Sequence, residues 1–223
     1  MNSVIKSKIA FINKLIKVGN FKFIWDAFAR RISSEELAMG FKKDLSIEHP
    51  EPRSLKKIST RVFNSGDESF FTDNSIDPII FQFQTCYVAI TDDNIPCSRI
   101  WLIDPSQNKK LSAIWGNNFP QLNNDEVLLE NVYTLPKYRG LGIMPSILHQ
   151  IAERGKLQGA KYAITFGSAH NTNTSRSFHY AGFQPYVLRK VKWFLFRKSI
   201  NFQEIPDDLT THYNNITRRM PRS

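Results

Sequence analysis

The stretch Pro136-Lys137-Tyr138-Arg139-Gly140-Leu141-Gly142-Ile143-Met144-Pro145 constrains this 223-residue chain more than any other. Residues 126–135 before it are rich in Val, Leu and Tyr and stop at a proline, which predicts a strand. After it, Ile147, Leu148 and Ile151 recur at helical spacing until Gly155 and Gly159. A glycine-bearing turn therefore joins a strand to a helix mouth. Such a mouth leaves several backbone N–H groups without partners and carries partial positive charge. Glycines let an anion approach closely enough to collect those N–H groups, and Pro145 fits a first helical turn, where no donor is lost. A phosphate or pyrophosphate is the natural ligand. An ordinary glycine-containing turn is the competing reading.

Two common phosphate loops are excluded. A P-loop needs four residues between its glycines followed by Lys-Ser/Thr, and this loop has neither. A dinucleotide fingerprint needs a third glycine where Pro145 stands and a ribose-binding acid near position 160, where the sequence reads Ala160-Lys161-Tyr162.

Around the loop the patterns are mixed. Residues 85–90 and 95–103 flank Asp92-Asp93-Asn94, a hairpin signal that, centred near Asp93, sets Cys86 opposite position 100. Residues 161–168 predict a strand with Tyr162, Ile164 and Phe166 on one face, and 174–180 a short helix stopped by Gly182. Residues 185–197 alternate apolar and basic, as an exposed-face strand does, with a partner in 199–204. N-terminal to all this, Ile5, Ile9, Ile12 and Ile16 form a helical stripe. Ser33 or Ser34 followed by Glu36 predicts a second, short helix reaching Gly40. His49-Pro50-Glu51-Pro52 closes that region. The expected organisation is a basic amphipathic helical arm over 1–50, a main domain over 51–205 and a basic tail over 206–223.

The loop resembles the pyrophosphate loop of the GCN5-related N-acetyltransferase (GNAT) superfamily, Arg/Gln-x-x-Gly-x-Gly/Ala. Arg139 and Gly142 fill its first and fourth positions, and Met144 stands where a small residue is expected. Downstream, Asn171, Thr174, Ser175 and Phe178, then Gly182-Phe183, are similar to that family's next helix. The resemblance covers residues 85–196. It implies an α+β fold, an α/β/α sandwich: a mixed, mostly antiparallel sheet of six to seven strands, splayed between the fourth (126–135) and fifth (161–168), with helices on both faces.

It also implies an acyl-CoA-dependent, most simply acetyl-CoA-dependent, N-acyltransferase acting on a primary amine by direct attack in a ternary complex. Acyl-CoA would be the co-substrate, with no metal. Its pyrophosphate would lie on backbone N–H groups of Arg139, Gly140, Leu141, Gly142, Ile143 and Met144, and its pantetheine beside Val132 and Thr134. Asn171, Ser175 and Phe178 complete the implied cofactor set. Glu130, which plain strand alternation puts on the face of Val132 and Thr134, is the candidate base or water-orienting group; a solvated strand carboxylate is the competing reading. Phe178 holds the position of the family's acid, a tyrosine, which leaves Tyr180, His179 or solvent for that role. A CoA-binding protein of this fold without turnover is the alternative function.

Thirty Lys and Arg against twenty Asp and Glu give a net charge of +10, so an anionic partner is expected. Seven basic residues against Asp26 in residues 1–31 supply six of the ten excess charges. Residues 4–31 are therefore open to three readings: packing on the domain, peripheral membrane contact, or shaping of the acceptor entrance for a small-molecule or conjugated amine. Basic residues elsewhere are scattered and the aromatics read as strand cores, which argues against nucleic acid. Two cysteines without a C-x-x-C, five histidines without metal spacing and no long apolar run predict buried thiols, no metal and a cytoplasmic protein.

Overall fold

The computed structural model describes residues 25, 29–71, 83 and 85–218. The isoleucine stripe and most of the aromatic cluster before residue 29 lie outside the described residues, as do 72–82. Among the described residues, eight strands form one sheet: β1 (Ser33–Asp44), β2 (Ile58–Val62), β3 (Cys86–Thr91), β4 (Pro96–Ile103), β5 (Glu126–Thr134), β6 (Tyr162–Ser168), β7 (Gln184–Phe194) and β8 (Arg197–Gln203). Their order is β2-β3-β4-β5-β6-β1-β7-β8. Only β5 and β6 run parallel. Among the described residues, the layers are completed by the helices α1 (Asn108–Trp115), α2 (Ile143–Leu157), α3 (Thr172–Tyr180) and α4 (Asp207–Thr217).

Period-two alternation divides the core. On one face Met39, Phe41, Ile100, Leu102, Val127, Leu129 and Leu188 meet α2, α3 and α4. On the other, Cys86, Trp101, Ile103, Leu128 and Ile164 meet Leu111 of α1 and Phe119. Helix α2 is fixed by Ile143, Ile147, Leu148 and Ile151, all at most 1% exposed. Each such side chain contributes about 1.5–3 kcal/mol of burial.

The segment expected to be a helix from Ser33 to Gly40 is instead β1, a strand inside the sheet. Its local helix-start signal is overridden by pairing on both sides, to β6 from Ala38 to Asp44 and to β7 from Ser33 to Lys42. A strand covered on both faces reads as a continuous buried run, here Ala38-Met39-Gly40-Phe41, with no alternation to betray it. This strand raises the expected six to seven strands to eight and draws residues 33–44 out of the arm. Residues 207–217, expected in a basic tail, form α4. Asp207 and Asp208 stand in its first turn, and Leu209 and Tyr213, four residues apart, are buried against the core.

Strands β3 and β4 form the expected hairpin, with Asn94 at φ +59°. Cys86 lies opposite Trp101 rather than Ile100, because the register shifts between Ala89 and Ile90. Cys86 and Cys97 are free and buried. Burial pushes their thiols up to about 12 and about 11.

Candidate active site

Strands β5 and β6 pair over three residues only, Glu126 with Tyr162, Val127 with Ala163 and Leu128 with Ile164. Beyond Leu128 and Ile164 they separate. Strand β5 stays with β4 and β6 stays with β1. The sheet thus opens at the C-terminal ends of its two parallel strands, a common place for a ligand in α/β sheets.

A bulge shapes the β5 wall. The register shifts between Arg99 and Trp101, and the extra residue, Asn131, has φ +52°. Buried Arg99 holds it, with Nη1 donating to Asn131 Oδ1 at 2.7 Å and the guanidinium 5.4, 5.1 and 5.2 Å from the rings of Phe71, Trp101 and Tyr133. Bulges re-aim side chains beside active sites. Here Glu130 lies opposite Trp101, on the α1 face. Val132 packs on the core under α2, and Thr134 lies opposite Ser98, with Oγ1 3.0 Å from Ser98 Oγ. The expectation that Glu130 shares a face with Val132 and Thr134 therefore fails. The inserted residue resets the alternation, so the carboxylate approaches the opening from the opposite side. Leu135 N–H donates to Cys97 O at 3.0 Å. Antiparallel alternation then turns the amide groups of Val132 and Thr134 away from β4, towards the opening.

Half-buried Glu130 is the carboxylate of this wall. Burial pushes it up to about 7, while the charge of Arg189 and the Asn131 N–H pull the other way. Arg189 comes from β7. Its Nη1 donates to Asn118 O at 2.8 Å, and its guanidinium lies 5.3 and 5.2 Å from the rings of Phe119 and Phe166. An aromatic wall with the part-buried Arg189 guanidinium against it thus flanks Glu130 on the α1 side.

At the end of β5, Pro136–Tyr138 make one tight turn, Arg139 is extended, and Gly140 and Gly142 take φ +79° and +76° before α2 starts. Among the described residues, the N–H groups of Gly140, Leu141, Gly142, Ile143 and Met144 find no protein acceptor. A Cβ on Gly140 would meet nothing within 4 Å, so there is open space beside Gly140. Arg139 is exposed and its Nε donates to Thr134 O at 3.1 Å. These residues fit a diphosphate.

Gly142 has a second reason to be glycine. The strap 51–55 crosses the loop: Leu55 N–H donates to Leu141 O at 2.9 Å, and Ser54 Oγ shares its one proton between the same oxygen at 3.0 Å and Lys56 O at 2.7 Å. A Cβ on Gly142 would lie 2.5 Å from Arg53 O. At the strap's start, Glu51 accepts from Gln150 Nε2 at 2.7 Å. Nothing in the sequence pattern marks this strap beyond Pro52 and the Pro50 just before it. Arg189 and the bulge at Asn131 were equally invisible, being products of tertiary pairing.

The helix expected to touch the cofactor contributes less than foreseen. Asn171 caps α3, its Oδ1 accepting from Thr174 N–H at 3.1 Å. Ser175 and Phe178 are buried at 3% and 1% exposure. The Phe178 ring stands edge-on to Phe41 at 5.0 Å, so it fills the core rather than facing a ligand. Tyr180 is exposed at the far end of α3, roughly 12 Å along the axis from its first residue. The structure does not bring it to the opening. His179 Nδ1 is 2.8 Å from Tyr213 Oη and serves the packing of α3 on α4.

The profile described as "Acetyltransferase (GNAT) family" matches residues 63–183, more than half of the chain. No curated protein matches the sequence. Among solved structures, an acetyltransferase of the GNAT family from Colwellia psychrerythraea is similar at TM-score 0.51 and 12% identity, over 73% of this chain and 57% of its own. A glucosamine N-acetyltransferase region of a fungal multi-domain GH3 β-N-acetylglucosaminidase gives 0.55 and 11%, over 77% and 22%. A Drosophila protein gives 0.51 and 12%, over 84% and 59%. The chain therefore spans less than two thirds of the length of these structures, and at such identities the likeness concerns the fold. The family match, the splayed mixed sheet and the glycine loop at the mouth of α2 agree: this chain belongs to the acetyltransferase (GNAT) family.

Proposed function

We propose that the chain transfers an acyl group, most simply acetyl, from acyl-CoA to a primary amine. One observation carries the reading: strand pairing stops after Leu128 and Ile164, at an opening that ends on the five acceptorless N–H groups of Gly140 to Met144. Acyl-CoA supplies a thioester-activated carbonyl. In this reading those N–H groups hold the diphosphate, helped by the partial positive charge of the α2 mouth. The Val132 C=O and the Thr134 N–H extend the β5 edge to the pantetheine arm. A Val132 N–H aimed at the reacting carbonyl stabilises negative charge as it develops there. Glu130 approaches from the α1 side and takes the amine proton, directly or through one water, as the nitrogen bonds to the carbonyl carbon; the C–S bond then breaks and CoA leaves as a thiolate that solvent protonates. A carboxyl poised near 7 suits that task.

A second reading, CoA binding without turnover, draws on Phe178, which has no hydroxyl where the family's acid stands. One experiment separates them. Calorimetry with CoA and thiol release from acetyl-CoA across a panel of primary amines are measured on the same protein. Heat together with amine-dependent thiol release supports transfer, and heat without it supports the second reading. Absence of heat at millimolar CoA overturns both.

A further inference from the structure

The β7–β8 hairpin ends in a turn that its sequence does not suit. Only Leu195 and Phe196 separate the strands, at φ +45° and +65°. Two-residue turns with both φ values positive favour Asn-Gly, and a bulky side chain there is strained. The chain nevertheless carries Phe194-Leu195-Phe196 at this tip, 59, 61 and 51% exposed, beside Ile32 at 40%. Tip and neighbour form one surface: Leu195 N–H donates to Ile32 O at 2.9 Å and Phe196 N–H to Arg31 O at 2.8 Å.

Cations surround these apolar groups. Residues 190–203 contain Lys190, Lys192, Arg197 and Lys198 and no acid, and of these Lys190 is paired with Glu35 of β1 at 2.8 Å. Lys192 and Arg197 are exposed, and no carboxylate of the described residues pairs with either. Arg31 and Lys198 both reach the Trp193 ring, at 5.5 and 5.9 Å. Geometry adds a direction. Strand β1 meets the end of β6 at Ala38–Ser168 and meets Phe194 at Ser33, five positions further on. The tip therefore projects roughly 17 Å beyond the end of β6, at the end of the sheet where β5 and β6 open.

We propose that this tip, Phe194, Leu195 and Phe196 with Ile32 beside them, is an anchor for an anionic phospholipid surface. A narrow apolar wedge with a basic collar and a tryptophan behind it matches the membrane interface, where rings and aliphatic groups enter the headgroup boundary and lysines and arginines meet anionic lipid. Four side chains on a turn offer far less than the roughly 800 Å² per partner of a stable protein interface. Docked through the tip, the opening of the sheet faces the bilayer, so an amine presented by lipid would reach Glu130 without leaving the surface. That last consequence rests on the transferase reading, whereas the anchor itself does not.

The test uses the full chain and its Leu195→Asn/Phe196→Gly variant, which keeps both backbone donors and gives the turn its preferred residues. Co-sedimentation is measured with phosphatidylcholine vesicles, with and without about 30 mol% phosphatidylserine. The expected result is binding to the anionic vesicles, weakened by salt, and about tenfold weaker in the variant, whose Tm is unchanged or raised. Failure of the parent protein to bind anionic vesicles at low salt overturns the anchor. Equal binding by parent and variant also overturns it and moves the contact elsewhere. Equal binding to neutral and anionic vesicles overturns the role of the collar. Light scattering that shows a dimer lost in the variant, with no vesicle binding, makes the tip a contact between copies instead. CoA calorimetry on both proteins separates failure of the anchor from failure of the transferase reading.

Discussion

Gly142 carries no side chain because the backbone of Arg53 occupies that space: a Cβ there would lie 2.5 Å from Arg53 O and 3.2 Å from Ser54 Cα. Gly140, two residues earlier and with the same sign of φ, faces open space. The two glycines therefore predict different failures. Gly142→Ala must push the strap off the loop and disturb the hydrogen bonds of Leu55 and Ser54 to Leu141 O. It is expected to lower Tm and CoA affinity together, affinity by about tenfold, or 1.4 kcal/mol. Gly140→Ala bears only the left-handed backbone cost, about 1–2 kcal/mol, and places a methyl among the free donors. Its effect on CoA affinity is expected to exceed its effect on Tm. Thermal melts and calorimetry on both variants check the contrast, and identical behaviour would refute the strap's role.

Glu130 predicts a pH profile. Burial lifts its carboxyl to about 7, and in the proposed transfer Glu130 is a base, which works only when ionised, so kcat/KM is expected to rise with pH through about 7 and then level off. Glu130→Gln is expected to lower kcat by about 10²–10⁴ and erase that inflection. Arg189→Met removes the positive charge that favours the ionised form, so the inflection is expected to move to higher pH while activity above it survives. A profile unmoved by Arg189→Met would show that the two groups are not coupled.

What was legible in the sequence was local. The loop 136–145, the strand before it and the helix after it sit where spacing put them, because glycine, proline and apolar period act within one turn or one strand. Three features were not legible. Strand β1 reads as a helix start until β6 and β7 claim both of its edges. The strap 51–55 has no period and gains meaning only from the loop it crosses. The bulge at Asn131 depends on a buried arginine from the next strand, and missing it put Glu130 on the wrong face. In each case a distant partner overrides or supplies the local preference.

Lys43 predicts a reversal of the usual sign for a cation. Its side chain is fully buried, with Nζ 3.0 Å from His149 Nδ1 and 3.8 Å from Glu153. Burial pulls the ammonium down from 10.5 to about 8. The unfolded chain holds this proton more tightly than the fold does. The site therefore costs stability below about 8, and that cost is relieved as pH rises from about 8 towards 10.5. Lys43→Met is expected to raise Tm at pH 7, by roughly 2–4 °C for each kcal/mol relieved, with the gain shrinking at alkaline pH. Melts of parent and variant across that range check the difference curve. A loss of Tm at pH 7 as large as that at alkaline pH would mean that the lysine and His149 stabilise the fold on balance.

Gly40 tests whether β1 belongs to the main domain. It lies between β6 and β7, where an added Cβ would stand 2.7 Å from Val187 Cγ1 and 2.8 Å from Phe166 Cε1. Gly40→Val must displace the Phe166 ring, which sits edge-on to Phe119 at 5.6 Å and 5.2 Å from the Arg189 guanidinium. Overpacking at such a site costs about 1–3 kcal/mol. Because Phe166 also supports Arg189, the variant is expected to lower Tm and to shift the Glu130 inflection, while CoA affinity, set at the α2 mouth on the far side of the opening, stays close to that of the parent. A variant silent in both melt and pH profile would return residues 33–44 to an appended arm. The paired shift, in contrast, ties a segment outside the family match to the chemistry of Glu130 through one ring.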